Sequence, residues 1–323
     1  MIGCELYMSI SVIGGDLRII RLIEMYIKDG VQIFSFGHEK YFNNKTIDKN
    51  LKICNNLEEV ISNSNIIISG MPLSKDKQTV NAPFSDNIIR LEELKNILME
   101  EQKSVLTKKD QNKLEKIQAE LDKTTENFAE NGKIVKKFIA GGIPKDFYDA
   151  ELTNVDLLEC EKLTILNAVP TVEGTIKIVI EEREDTIFDS NVLICGYGRI
   201  GKILCDKFKD LGANVYCVAR KEADLAWIRE KRYIPLTYRE IQKYGKTFDV
   251  IINTVPSLVI DKKELDSLKK DVIIVDVASN PGGINKEEAQ AKGIKVITAL
   301  GIPGKETPKT AAKFIKEIID ELK

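Results

Sequence analysis

Histidine is nearly missing from this chain: His38 is the only one among 323 residues. Zinc sites draw on Cys and His clustered at short spacings. The six cysteines stand singly at positions 4, 54, 160, 195, 205 and 217, with no CxxC pair, so neither a metal site nor a disulfide framework is expected. Cys195 and Cys217 fall inside apolar runs, where a free thiol packs as a small hydrophobe. A surplus of positive charge is missing too. The 48 Lys and Arg are outnumbered by 50 Asp and Glu, for a net charge of -2, whereas a phosphate-tracking surface needs clustered cations. Nucleic acid is therefore excluded as an expected partner. The opening residues MIGCELYMSISVIGGD carry no basic region and no long apolar run, and no window of membrane-span length stands out, so a cytoplasmic chain without a membrane partner is expected. What is present is ordinary globular composition, 43% apolar and 30% charged, at a length that suits about two domains.

Along the chain, MSISVI at 8–13 reads as a strand, Gly14-Gly15-Asp16 as a turn, and Leu17, Ile20, Ile23 and Ile27 as the apolar face of a helix that Gly30 ends. VQIFSFG follows as a second strand, and Ile66 to Ser69 repeats the signal. From Leu91 to Ile139 the composition turns to Lys, Glu, Gln and Asn, with Leu91, Leu94, Leu98, Leu114, Ile117, Leu121 and Phe128 at helical spacing. Thr107 and Asp110 resemble a capping box, which predicts a helix restart and a helical hairpin. That hairpin is either a solvated face or an arm that contacts another copy or partner. From Asn191 onward NVLICG, NVYCVA, FDVIINTV, DVIIVDVA and IKVITAL are continuous apolar runs, as strands buried on both faces of a parallel sheet require.

The expected fold is α/β: two Rossmann-like parallel-sheet lobes with a cleft between them, plus a helical-hairpin insertion in the N-terminal lobe. The expected divisions are an N-terminal α/β substrate lobe at 1–168 with its insertion at about 91–140, a linker helix at 169–189, and a dinucleotide-binding domain at 190–306. A closing helix at 307–323 is expected to pack back toward the N-terminal lobe.

The strongest chemical signal is Gly196-Tyr-Gly198-Arg199-Ile200-Gly201, set directly between the strand NVLIC and a helical pattern. In that context the first glycine allows the tight turn, the second lets backbone approach a pyrophosphate, and the third lets helix and sheet pack closely. The helix N-terminus then offers N–H groups to the phosphates. About twenty residues later, where an NAD site places an acid on the ribose, stand Arg220 and Lys221. A fork from Arg220 suits a 2′-phosphate, so NADP is expected ahead of NAD. A solvated arginine beside a bound NAD is the alternative. Thr254, Val255, Pro256 and Ser257, and later Ser279, follow the carboxyl ends of two further strands, where open α/β sheets bind ligands; plain turn chemistry is the alternative.

Taken together, IGGDxR, PTVEGT, GYGRIGK, NTVPS, DVASNPGG and GIPGKETPKTAA resemble the dipicolinate synthase A-subunit family of spore-forming bacteria, in order and spacing over nearly the whole chain. The stretch around 100–133 departs from the shorter form of that family. The resemblance implies oxidation of a dihydrodipicolinate to pyridine-2,6-dicarboxylate with NADP or NAD, alongside a second, flavoprotein-like synthase subunit, in the mother-cell cytoplasm during sporulation. A homo-oligomer is expected as well. The layout is also similar to that of two-lobed hydroxy-acid dehydrogenases, but their catalytic histidine has no counterpart in the second half.

A dicarboxylate needs cationic and N–H donors. Gly15, Asp16 and Arg18, Thr171 at the expected start of the linker helix, and Lys309 are the candidate substrate ligands, with Arg18 first; a surface arginine is its alternative. Ser257 is a candidate catalytic donor. Glu173 is the candidate proton acceptor, against a first-turn glutamate that merely stabilises a helix dipole. The site is expected in the cleft, between Gly14 to Arg18 on one side and Gly198, Thr254, Ser257 and Ser279 on the other. Two other functions stay open: a two-lobed dehydrogenase of another small acid, and a non-catalytic nucleotide-binding scaffold subunit.

Overall fold

The strands of this chain are short, apolar and β-branched, and burial explains why. In the computed structural model, which describes residues 9–43, 45–103, 136–148 and 153–322, all four residues of β10 (Val250–Asn253) and of β11 (Ile273–Asp276) are buried. Successive side chains of β7 (Asn191–Cys195) feed two different cores: Val192 and Ile194 join one, Leu193 and Cys195 the other. A sheet covered on both faces has no polar side to alternate with.

The chain divides into two compact units, residues 1–161 with 315–323, and residues 162–314. In the first, β1 (Ser9–Ile13), β2 (Gln32–Phe36), β3 (Leu51–Ile53), β4 (Ile66–Ser69), β5 (Lys137–Ala140) and β6 (Thr153–Asp156) form one sheet in the order β3-β2-β1-β4-β5-β6. The second unit adds β8 (Asn214–Val218), β9 (Ile234–Leu236) and β12 (Lys295–Thr298), ordered β9-β8-β7-β10-β11-β12. Every ladder in both sheets is parallel. Each unit is thus a doubly wound α/β sheet, and the two share one strand order. In that order the chain reverses beside the first strand of each sheet, which is where such folds bind ligands.

Three expectations need correcting. The helical reading of 91–140 holds for residues 91–103, where Leu91, Leu94 and Leu98 are buried, but residues 137–140 are β5, a strand whose Phe138, Ile139 and Ala140 are buried. Its four residues follow a Lys-rich stretch and are too few to show a period of their own. The predicted hairpin and its Thr107 cap lie outside the described residues. The helix expected from about residue 169 instead runs Glu161–Glu182 with Pro170 inside it. A proline inside a helix commonly breaks or kinks it, but here the chain continues helically, and the Thr171 hydroxyl donates to the Asn167 carbonyl at 2.8 Å. Finally, this helix is long and apolar enough to cross a membrane by length and composition, although no such window was expected. Leu163, Ala168, Val172 and Val179 are buried within the protein, and core helices meet the same criterion.

Candidate functional site

In the second unit the glycine turn follows the carboxyl end of β7. Gly196 has φ +101° and Gly198, the N-cap of the helix Arg199–Asp210, has φ -85°. A carbon added to Gly196 would stand 2.6 Å from Thr254 Oγ1, and one on Gly201 would stand 2.0 Å from the Gly196 carbonyl oxygen. Those two glycines are there because the chain meets itself. Gly198 differs: a side chain there would meet nothing within 4 Å. No side chain caps this helix, so its first-turn N–H groups and the space over Gly198 fit a diphosphate. The Arg199 guanidinium donates to Thr164 Oγ1 at 2.6 Å, and Ile200 packs against the core.

Arg220, exposed just beyond β8, lines a cavity of about 270 Å³ with Tyr238, Val255, Ser257, Leu258, Val259 and Glu264. Lys221 stands just before the helix Glu222–Glu230, without a side-chain cap bond, and does not line that cavity. Sequence reasoning missed Tyr238 and Glu264. The spacing of Asp261 and Glu264 announces a capping box, which the structure contains, but nothing local ties either residue to Arg220. An acid, Glu264, thus shares the space of Arg220, and so does Ser257, the expected catalytic donor.

The loops after β10 and β11 are tied together below the surface. Asn253 and Asp276 are fully buried, and the Asn253 amide donates to Asp276 Oδ1 at 2.8 Å and to the Val255 carbonyl at 3.0 Å. Asp276 also accepts from the N–H groups of Ala278 and Gly283 at 3.3 and 3.1 Å. Thr254 donates its hydroxyl to the Cys195 carbonyl at 2.8 Å, so its side chain braces the turn. Pro256 and Ser279 are exposed on these loops.

The first unit repeats the arrangement with a different ending. Gly14 and Gly15 follow β1 with φ +56° and +107°, and Asp16 caps the helix Leu17–Lys28 with φ -89°, in the place that Gly198 has beside β7. Here the N–H groups are taken: Gly14 donates to the Phe36 carbonyl at 2.9 Å, Gly15 to that of Asn81 at 2.7 Å, and Arg18 N to Asp16 Oδ1 at 3.0 Å. The guanidinium of Arg18 grips the same carboxylate through Nε at 3.0 Å and Nη2 at 2.7 Å, and Nη2 also donates to the Met71 carbonyl. An internal anion therefore fills the helix N-terminus that stays open in the second unit. The Arg18 side chain is only 8% exposed, which removes the surface-arginine alternative; among the described residues Nη1 is the nitrogen left without a hydrogen bond.

Beneath that turn lies the single histidine. His38 is wholly buried, with Nε2 2.8 Å from the Gly14 carbonyl and Nδ1 2.7 Å from Ser35 Oγ. The carbonyl can only accept, so Nε2 carries the proton and Nδ1 accepts from Ser35. Burial pushes its pKa down to about 4. His38 is thus a neutral brace for the glycine turn.

Of the other candidates, Thr171 lies in the interior of the helix Glu161–Glu182, not at its start, because the helix begins ten residues earlier. Glu173 is exposed on the same helix, well past its first turn, so the helix-dipole alternative fails. Lys309 is exposed near the start of the helix Pro308–Glu321. The structure brings Gly15, Asp16 and Arg18 together in one unit, and Arg220, Val255 and Ser257 together in the other.

Comparison with known proteins gives each unit a relative. Residues 9–125 match the N-terminal domain of the dipicolinate synthase A-subunit family, and residues 174–296 match the NAD-binding domain of the D-isomer specific 2-hydroxyacid dehydrogenases. The dipicolinate synthase A-subunit of Bacillus subtilis is 39% identical over 168 residues, 52% of this chain and 57% of that protein, so the match spans little more than half of the relative's length. A shikimate dehydrogenase (NADP(+)) of Methanococcus maripaludis is 27% identical over 140 residues, 39% of this chain and 49% of that protein. Among solved structures, the dipicolinate synthase A-subunit of Bacillus subtilis superposes with a TM-score of 0.76 at 27% identity, covering 98% of this chain and 95% of that one. Its counterpart from Bacillus halodurans gives 0.76 at 25% identity, covering 98% and 97%.

Proposed function

From the premise that this chain is a relative of the dipicolinate synthase A-subunit, we propose that it is an NAD(P)-dependent oxidoreductase that oxidises a dihydrodipicolinate to pyridine-2,6-dicarboxylate, acting with a second synthase subunit. The observation that carries the redox half is the open turn at Gly198, uncapped and facing empty space in a unit that matches an NAD-binding domain. A nicotinamide, when held there, would supply the hydride acceptor for the ring carbon. Gly196, Gly198 and Gly201 shape the pyrophosphate seat, and the Val255 to Ser257 loop with Arg220 frames the adenosine end. Arg220 favours NADP over NAD, since a guanidinium can fork onto a 2′-phosphate.

The residues toward the acid are Gly15, Asp16 and Arg18. Asp16 fixes the guanidinium plane and leaves the Nη1 edge for a substrate carboxylate, a charge-assisted contact that orients the ring without reorganisation. Lys309 is a further candidate for a carboxylate contact. Aromatisation releases one proton with the hydride, and Glu173, an exposed carboxylate, is its proposed acceptor. No histidine is required, because the gain in aromaticity lowers the demand on the base. The test is to incubate the purified chain with a dihydrodipicolinate and NADP, alone and then with the second subunit, and follow nicotinamide reduction and dipicolinate formation. Reduction in either arm supports the assignment, and none in both overturns it.

A further inference from the structure

The cavity beside β8 contains a group that a preference for NADP leaves unused. Glu264 lines the same space of about 270 Å³ as Arg220, yet no ion pair joins them among the described residues. The carboxylate is held in place from behind: Oε1 accepts from the Gln242 amide at 2.9 Å, and Oε2 accepts from the Asp261 N–H at 3.1 Å within the capping box. Glu264 is half-buried, whereas Arg220 is exposed on its long side chain at the rim. One cavity thus presents a fixed acid and an exposed cation.

We propose that Glu264 is a specificity-determining residue for the cofactor: its carboxylate accepts the hydroxyls of an unphosphorylated adenosine ribose, so that the cavity takes NAD through Glu264 and NADP through Arg220. The inference rests on reading this cavity as the adenosine end of the dinucleotide site. A ribose diol offers two O–H donors, and a carboxylate is the acceptor that meets both. Against a 2′-phosphate the same carboxylate is a like charge in a partly enclosed space, a repulsion that Arg220 must offset. Tyr238 serves either cofactor, since burial pushes its phenol up to about 12 and keeps it a neutral donor. The acid that usually follows the second strand of such a sheet is thus supplied here from the loop and helix after β10.

The test is titration of NAD and NADP against the full chain and two variants, by quenching of intrinsic fluorescence. Glu264→Gln keeps an acceptor for Asp261 N–H and removes the charge; it is expected to weaken NAD by about 10-fold while leaving NADP unchanged or tighter. Arg220→Gln is expected to do the reverse. A ratio of affinities unchanged in Glu264→Gln, or an equal loss for both cofactors, overturns the proposal and leaves Glu264 a capping residue. A parent chain that binds neither dinucleotide, or an Arg220→Gln variant that alters neither affinity, would instead remove the underlying reading of the cavity. Should Glu264→Gln fail to fold, Glu264→Asp, which keeps the charge and shortens its reach, is expected to lose NAD selectively; equal affinity losses there count against the proposal.

Discussion

Asn253 and Asp276 are partners across the parallel ladder of β10 and β11, and their side chains meet at 2.8 Å with no exposure to solvent. Together with the N–H groups of Ala278 and Gly283 they fix both loops at the carboxyl edge of the second sheet. Asp276→Ala strips acceptors from three buried donors, and unsatisfied donors cost about 1–3 kcal/mol each. A loss of roughly 3 kcal/mol or more in urea unfolding at neutral pH is expected, and a loss under about 1 kcal/mol would show that the network is not what holds these loops.

Gly198 and Gly201 should part company on substitution. Gly198→Val has ordinary backbone geometry and open space to enter, so unfolding is expected to shift by less than about 1 kcal/mol while dinucleotide affinity is abolished. Gly201→Ala puts a carbon 2.0 Å from the Gly196 carbonyl oxygen and should cost stability, roughly 1–3 kcal/mol by the measure of overpacking. Unchanged NADP affinity in a folded Gly198→Val protein would remove this turn from the binding site.

Arg220→Asp replaces the exposed cation of the cavity by a second acid. The order of affinities, NADP ahead of NAD in the parent, is expected to reverse, with NADP losing about 10- to 100-fold. Equal affinities in the parent would already contradict this.

Arg18→Ala is expected to weaken dicarboxylate binding by about 1.5–3 kcal/mol and to leave NADP binding nearly intact. Because Arg18 also pairs with Asp16 and the Met71 carbonyl, stability should fall with it. Arg18→Lys separates the two effects: it retains the charge and loses the fork. Kinetics indifferent to Arg18→Ala would remove it from the substrate site.

The first unit should weaken in mild acid. His38 is held neutral, with its pKa near 4 in the folded chain against 6.5 for a free imidazole. Its contribution is fully present above about pH 6.5 and is lost as pH falls toward 4, because the unfolded chain takes up the proton first. At about 1.4 kcal/mol per unit the loss reaches at most roughly 3 kcal/mol. His38→Gln, which can still donate to the Gly14 carbonyl, should flatten that part of a urea midpoint measured from pH 7 to 4.5. A variant as acid-sensitive as the parent would assign the loss to other groups.

What could be read from the residues follows how local the cause is. β1, β7, β8, β10 and β11 announce themselves because burial on both faces demands an unbroken apolar run. β3, β6 and β9 are three or four residues long and include Lys52, Asn154 and Pro235, so little pattern survives. The turn from Gly196 to Gly201 was legible because six adjacent residues perform the task. The Arg220 cavity was not, since Tyr238 and Glu264 arrive from separate segments. The buried state of Arg18 was hidden too, as its second partner is a backbone carbonyl at Met71.

The make-up of the first unit sets an order on synthesis. Residues 315–323 belong to it: the Tyr26 hydroxyl donates to Asp320 at 3.0 Å, Lys316 pairs with Asp29 at 2.9 Å, Lys137 donates to the Leu322 carbonyl at 2.6 Å, and Ile315 and Ile319 are buried. Multidomain chains generally fold from the N-terminus as they leave the ribosome. Here the unit that begins first cannot be finished until all of residues 162–314 have been made, so the nucleotide-binding half can close while the half that precedes it still waits for its last helical turns.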